Sequence, residues 1–253
     1  MDLGLKGKRA LVMGGTSGLG LAIARALGAE GADVVVASRD EAKIAAAVKE
    51  IKSVSPGNVE GKRLDVKDEA SVRQAVEQVL ADGAIDILVN NTGGPAAGNP
   101  MDISLKDWDQ GYASLLRSVI LLSHLVVPGM KARGWGRILT VTSTSAKEII
   151  PKLPVSSTFR AGMTAWTKEM AKEIGRSGIL INNLLPGPTN TGRLKELEKK
   201  SPAFYQSMST ESALGRIAEP EEIGRVAAFL CSNANTFMTG TDVLVDGGYT
   251  KAL

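Results

Sequence analysis

Short apolar runs alternate along the chain with longer stretches whose apolar residues recur every three or four positions. Residues 9–13 (RALVM), 33–38 (DVVVAS), 59–66 (VEGKRLDV), 85–91 (IDILVNN), 136–143 (GRILTVTS), 178–187 (GILINNLLPG) and 242–248 (DVLVDGG) read as strands. Most are apolar at successive positions, the pattern of strands covered on both faces. Helical patterns fill the intervals at 18–31, 40–53, 68–83, 105–133 and 155–176. Strand–helix alternation predicts an α/β fold: one doubly wound, Rossmann-like parallel sheet spanning 1–253, with right-handed crossovers and helices on both faces. Ligands are expected at the carboxyl ends of the strands.

The alternation breaks at about 188–218. That stretch is polar, helix-prone and directly follows a strand end, so it is expected to act as a lid over a ligand. No repeat, low-complexity tract or interdomain linker is visible.

The first strand runs into GGTSGLG, with glycines at Gly14, Gly18 and Gly20. Gly14 suits a tight turn, Gly18 lets the backbone approach a pyrophosphate, and Gly20 allows close helix packing. The helix N-terminus that follows offers free N–H groups and a positive dipole end to phosphates. The second strand ends in Ser38 and Arg39 rather than in an acidic residue. A hydroxyl and a planar cation suit a ribose 2′-phosphate, so NADP(H) is favoured over NAD(H), which stays possible. Asp40 reads as the N-cap of the next helix.

Taken with LDV at 64–66, NNTGG at 90–94, Ser143 closing GRILTVTS, INNLLPGPTNT at 181–191 and the C-terminal TGTDVLVDGG, this pattern resembles the short-chain dehydrogenase/reductase family, close to its 3-oxoacyl-acyl-carrier-protein reductases. The resemblance runs nearly end to end. It implies that Thr16, Ser17 and Leu19 join the three glycines in the nucleotide turn, and that Asp65 and Val66 flank the adenine. Asn91 and Gly93 would stabilise the central strand and line the cofactor, while Pro186, Gly187, Thr189 and Thr191 would hold the nicotinamide end. Ser143 would orient a substrate carbonyl. The helices starting near 105 and 155 would form the contact of a homodimer or homotetramer.

The chain departs from the family at the reacting residues. The family's Tyr-x-x-x-Lys becomes Ser156 and Arg160, its relay Asn becomes Leu115, and the Thr before the glycine turn becomes Met13. A tyrosine of pKa about 10 beside a lysine cation can pass a proton near neutrality. A serine hydroxyl is a far weaker acid, and arginine stays protonated. Ser156 and Arg160 lie four apart on one helix face, next to an apolar stripe of Phe159, Met163, Trp166 and Met170, so the helix itself is intact. Lys147, in the loop before it, is a candidate replacement acid if Arg160 lowers its pKa, and a solvated loop charge otherwise. Tyr112 reads as a packing residue before a catalytic one. The expected function is an NADP(H)-dependent oxidoreductase with an altered proton relay, acting on a ketone, an alcohol or an activated alkene. The alternative is an NADP(H)-binding sensor or scaffold with impaired catalysis.

Composition narrows the rest. The chain has 253 residues, 43% of them apolar, enough for a large core. A net charge of +3 from mixed, scattered charges points away from nucleic acid. The run SVILLSHLVV at 118–127 is short and interrupted, so a membrane span is not expected. The N-terminus lacks the pattern of a secretion signal. One cysteine, Cys231, forms no intrachain disulfide and reads as a buried small residue, which leans towards a reducing, cytoplasmic setting. The single His124 reads as a packed or interface residue, and no residue spacing suggests a metal site.

Overall fold

The computed structural model describes residues 2–252. The elements follow in chain order: β1 (Arg9–Met13), α1 (Gly18–Ala29), β2 (Asp33–Ser38), α2 (Glu41–Lys52), β3 (Val59–Arg63), α3 (Glu69–Asp82) and β4 (Ile87–Asn90). Then come α4 (Leu105–Tyr112), a π-helical turn (Ala113–Arg117), α5 (Ser118–Arg133), β5 (Gly136–Val141), α6 (Pro154–Ile174) and β6 (Ile179–Pro186). Helices α7 (Gly192–Lys200), α8 (Pro202–Glu211) and α9 (Pro220–Leu230) precede β7 (Asp242–Val245).

All seven strands pair in parallel, in the order β3-β2-β1-β4-β5-β6-β7. The order reverses between β1 and β4, which opens a crevice at their carboxyl ends. Alternate strand residues feed two cores. Ala10, Val12, Val34, Val36 and Val89 pack beneath α1, α2 and α9 through Ile23, Leu27, Ile51, Ile223 and Ala227. Leu11, Met13, Val35, Leu88 and Ile138 pack beneath α3, α5 and α6 through Val76, Leu122, Met130 and Ile174. A strand buried on both faces has no polar side to alternate, which is why the apolar runs were continuous. Edge strand β7 is only half-buried along its length.

Helix starts follow their caps. Asp40 accepts from Lys43 N at 3.1 Å, Asp68 from Ala70 N, and Ser104 from Asp107 N. Cys231 is fully buried, and burial pushes its thiol up to about 12, so it behaves as a packing residue. Its neighbour Arg137 is buried too, and donates to the carbonyls of Ser232, Asn235 and Gly136.

Three details differ from the sequence expectation. The helix at 105–133 runs over the expected 29 residues; it is long and apolar enough to cross a membrane, which the sequence did not lead one to expect, and half of its apolar window is buried in the fold. A π-helical turn lies inside it, with Ser114 Oγ donating to Gln110 O and Ser118 Oγ to Ser114 O. His124 is exposed on this chain rather than packed.

The 188–218 stretch leaves the sheet through a narrow neck. Ala218 N donates to Pro188 O at 3.1 Å and Asn190 N to Ala218 O at 2.8 Å. Between these lie α7 and α8, which pack on each other, and Arg193 of α7 reaches Gly94 beyond β4. Ser212 Oγ and Leu214 N both donate to Gly247 O, which ties the far side down beyond β7.

Candidate active site

The glycine turn is built on contacts that forbid side chains. Gly14 and Gly18 have φ of +58° and +52°, the left-handed region that favours glycine. A Cβ on Gly20 would collide with the Gly14 carbonyl and stand 2.6 Å from Asn91 Nδ2. Asn91 Nδ2 donates to Gly14 O at 3.3 Å, so Asn91 braces the turn from β4. Ser17 occupies the N-cap of α1 without a side-chain hydrogen bond, unlike the caps of α2, α3 and α4. The first N–H groups of α1 are therefore left for an anionic ligand. Thr191 lies against Gly18, with Cγ2 3.3 Å from the position a Cβ would take there.

Ser38 ends β2 and pairs in register with Arg63 at the end of β3. Arg39 and Arg63 are both exposed, and neither belongs to any ion pair among the described residues. Arg63 is a second cation that sequence reasoning missed, because strand register alone brings it beside Ser38. Asp65 accepts from Lys67 N, and Val66 is half-buried beside it. At the end of β6, Gly187 N donates to Val245 O, and a Cβ on Gly187 would stand 2.6 Å from that of Asp246. Thr189 Oγ1 donates to Gly187 O. Gly14, Gly18, Gly20, Ser38, Asn91, Pro186, Gly187, Thr189 and Thr191 thus lie along one crevice at the carboxyl ends of the strands. Its glycine-lined turn and uncapped helix start fit a dinucleotide.

The reacting end is different in kind. Ser143, half-buried just beyond β5, accepts from Ser145 N at 3.1 Å. Ser145 Oγ and Ser156 Oγ are hydrogen-bonded at 3.1 Å. Arg160 Nε donates to Ser156 Oγ at 3.1 Å and Nη1 to Val141 O at 3.0 Å. Ser156 is 5% exposed and Arg160 9%. Burial first, and then the field of Arg193, pull Arg160 down to about 10, which still leaves it a cation near neutrality. Leu115 is buried in the π-helical turn.

Lys147 is exposed, and no hydrogen bond or ion pair among the described residues joins it to this network. The cation whose field reaches Arg160 is Arg193, at the start of α7, whose guanidinium lies against Gly94. Glu148, beside Lys147, accepts from the backbone N–H groups of Lys251 and Ala252. Tyr112 packs against Phe159, ring centroids 6.0 Å apart, and Trp108 meets the same ring edge-on at 5.8 Å. Ser145 and Arg193 were invisible to sequence reasoning because only the tertiary fold brings them to Ser156 and Arg160.

The model of the family described as enoyl-(acyl carrier protein) reductase matches residues 14–250. Dehydrogenase/reductase SDR family member 4 of Bos taurus is 35% identical over 246 residues, covering 96% of this chain and 88% of that protein. The chain belongs to the short-chain dehydrogenase/reductase family. The 3-oxoacyl-[acyl-carrier-protein] reductase of Aquifex aeolicus is 32% identical, over 98% of this chain and 99% of its own. Among solved structures, L-sorbose reductase from Gluconobacter frateurii, complexed with NADPH and L-sorbose, superposes with a TM-score of 0.94 at 33% identity, with both chains covered in full. Membership makes this short-chain dehydrogenase/reductase an oxidoreductase, and places its substitutions at Ser156 and Arg160 inside a family-wide fold rather than in a different one.

Proposed function

We propose that the chain is an NADP(H)-dependent oxidoreductase acting on a small carbonyl or alcohol compound through a proton relay that does not use the family tyrosine. The observation that supports the cofactor is the register of Ser38 with Arg63 at the ends of β2 and β3, with the exposed Arg39 next in the chain: a hydroxyl and two cations suited to a 2′-phosphate. When bound, the dinucleotide supplies or accepts a hydride. The chain's own part is to hold its phosphates at the start of α1, to brace that turn through Asn91, and to present Ser143 to a substrate oxygen.

Ser156 is a poor donor in this arrangement. Its oxygen accepts from Arg160, its hydroxyl faces Ser145, and both are buried. The proton for a reduced carbonyl therefore comes from water, or from the exposed Lys147 if the 188–218 stretch closes as a lid and orders the loop around it. The burial of Ser156 also favours a second reading, an NADP(H)-binding sensor or scaffold with weak catalysis. A screen of carbonyl and alcohol compounds with purified protein, following cofactor absorbance, separates the two. Turnover of any compound well above the uncatalysed rate supports the enzyme, and tight NADPH binding with none supports the sensor.

The reading extends to a reducing, cytoplasmic setting, on the strength of the single buried thiol, and to a homodimer or homotetramer. The helix starting near 155, which the resemblance offers as a contact, keeps much of its apolar stripe inside the chain. Met163 and Met170 are buried within the chain, and Phe159 and Trp166 are half-buried. The most exposed large apolar side chains among the described residues are Phe237 (96%), Met101 (93%), just before α4, Leu105 (82%), at its start, and Ile149 (76%).

A further inference from the structure

After β7 the chain turns back towards β5. Asp246 folds the turn around its own carboxylate: Oδ1 accepts from Gly248 N at 3.0 Å and Oδ2 from Thr250 N at 2.9 Å. Gly247 and Gly248 have φ of +64° and +74°, two successive left-handed residues that only glycine adopts freely. Beyond the turn, Lys251 N and Ala252 N both donate to Glu148 Oε2, at 2.6 and 3.2 Å. Glu148 belongs to the loop after β5. The sheet runs β5-β6-β7, so residues 246–252 pass from one neighbour of β6 to the other, across the carboxyl end of β6 itself. The packing there agrees: a Cβ on Gly187, just past β6, would stand 2.6 Å from that of Asp246.

Both ends of this crossing touch the reacting end. Glu148 sits on the same compact turn as Ser143, in which Ala146 N donates to Ser143 O, and Lys147 N and Glu148 N to Thr144 O. At the other end, Gly247 O accepts from Ser212 Oγ and Leu214 N, where the 188–218 stretch returns. A Cβ on Gly248 would stand 2.8 Å from that of Ala213. The turn at 246–248 is therefore wedged from two sides. Residues 251 and 252 are exposed, and among the described residues no hydrogen bond other than those to Glu148 holds them. An exposed segment with a single anchor opens at low cost.

We propose that residues 246–252 form a strap across the substrate end of the crevice, that Glu148 is the clasp that closes it, and that the closed strap admits only compact carbonyl or alcohol compounds to Ser143. Calling the admitted compound a substrate rests on the preceding reading; the closure of the strap does not. Glu148 is a positioning residue. It holds the strap, and no hydride or proton passes through it. With the clasp open, Gly247 and Gly248 serve as the hinge on which the segment swings away, and a bulkier compound reaches the hydroxyl.

The test puts a reporter at that hydroxyl. Ser143→Cys is nearly isosteric, and Cys231 is fully buried with its thiol pushed up to about 12, so the introduced thiol is the one that reacts. Its modification is timed without nucleotide by two uncharged reagents, methyl methanethiosulfonate and the bulkier 4,4′-dithiodipyridine, each rate taken relative to free cysteine. Adding Glu148→Ala should raise the bulky reagent's rate about tenfold, the factor carried by one lost hydrogen bond to a charged group, and the small reagent's less than about threefold. Glu148→Gln keeps an acceptor oxygen and should restore most of the protection. Lys251→Pro removes a donor from the other side of the clasp and should act like Glu148→Ala, with little further gain when the two are combined. An unchanged bulky-reagent rate in Glu148→Ala, an equal rise for both reagents, or a Glu148→Gln variant as open as Glu148→Ala overturns the proposal. Hydrogen exchange reads the clasp without the reporter: the amides of Lys251 and Ala252 should be protected in wild type and lose protection in Glu148→Ala, and unprotected wild-type amides overturn the proposal as well. A protein that ignores NADPH sinks only the preceding reading, since no nucleotide enters this test.

Discussion

Arg160 donates from Nε to Ser156 Oγ at 3.1 Å, so the residues at the family's tyrosine and lysine positions are bonded to each other across one turn of α6. A tyrosine–lysine pair leaves the phenol free to face a substrate. Here the shorter side chain is withdrawn and its oxygen is occupied. General acid catalysis contributes about 10²–10⁴ in rate, so wild type should turn over a 3-ketoacyl thioester slowly or not at all. Ser156→Tyr alone should recover little, because Arg160 cannot copy the compact ammonium of lysine. The double variant Ser156→Tyr/Arg160→Lys should recover more, though Leu115 still interrupts the relay. Steady-state turnover of the three proteins is the comparison, and fast turnover by wild type would refute the idea.

Cofactor choice should depend on the cations at the ends of β2 and β3. Arg39→Ala should weaken NADPH about 10- to 100-fold and NADH little, since only the former carries the 2′-phosphate. Arg63→Ala should act in the same direction. Fluorescence titration of both nucleotides measures it, and equal losses for the two would remove the assignment.

Gly20→Ala tests the nucleotide turn. The new methyl would meet the Gly14 carbonyl and Asn91 Nδ2, at a cost of about 1–3 kcal/mol for forced overpacking. Either the turn shifts or the protein loses that stability. The expected result is a lower melting temperature together with loss of most NADPH binding. Unchanged affinity would mean that the close approach of the turn does not shape the phosphate site.

Self-association is checked by sedimentation. The exposed Met101, Leu105 and Phe237 should be covered in a dimer or tetramer, and Leu105→Lys should shift the population towards smaller species. A wild type that sediments as a monomer at micromolar concentration would contradict this.

The sheet was legible because parallel strands under helices on both sides leave an unbroken apolar signature, as in Val34–Val36 and Leu88–Val89. Asp40 was legible as a cap because an N-cap interaction is local to three residues. Contacts between distant segments were not. Nothing near Arg160 announces Arg193, thirty-odd positions later, or the serine at 145 that Ser156 meets. The π-helical turn at Ala113–Arg117 also left no pattern, since one extra residue in a helix changes its facing without changing its composition. The helix starting near 155 was expected to face a partner, yet Met163 and Met170 on it are buried within the chain itself.

The neck formed by Pro188, Asn190 and Ala218 makes the stretch it closes a separable cassette. Both ends leave from one point, so a longer or shorter replacement adds only a slowly growing closure entropy and leaves the seven strands untouched. Arg193 rides on that cassette, whereas Ser143, Ser156 and Arg160 belong to the frame. A transplant between relatives would therefore exchange half of the reacting end and keep the other half. Chimaeras at 190 and 218 are a direct route to new chemistry on an unchanged scaffold.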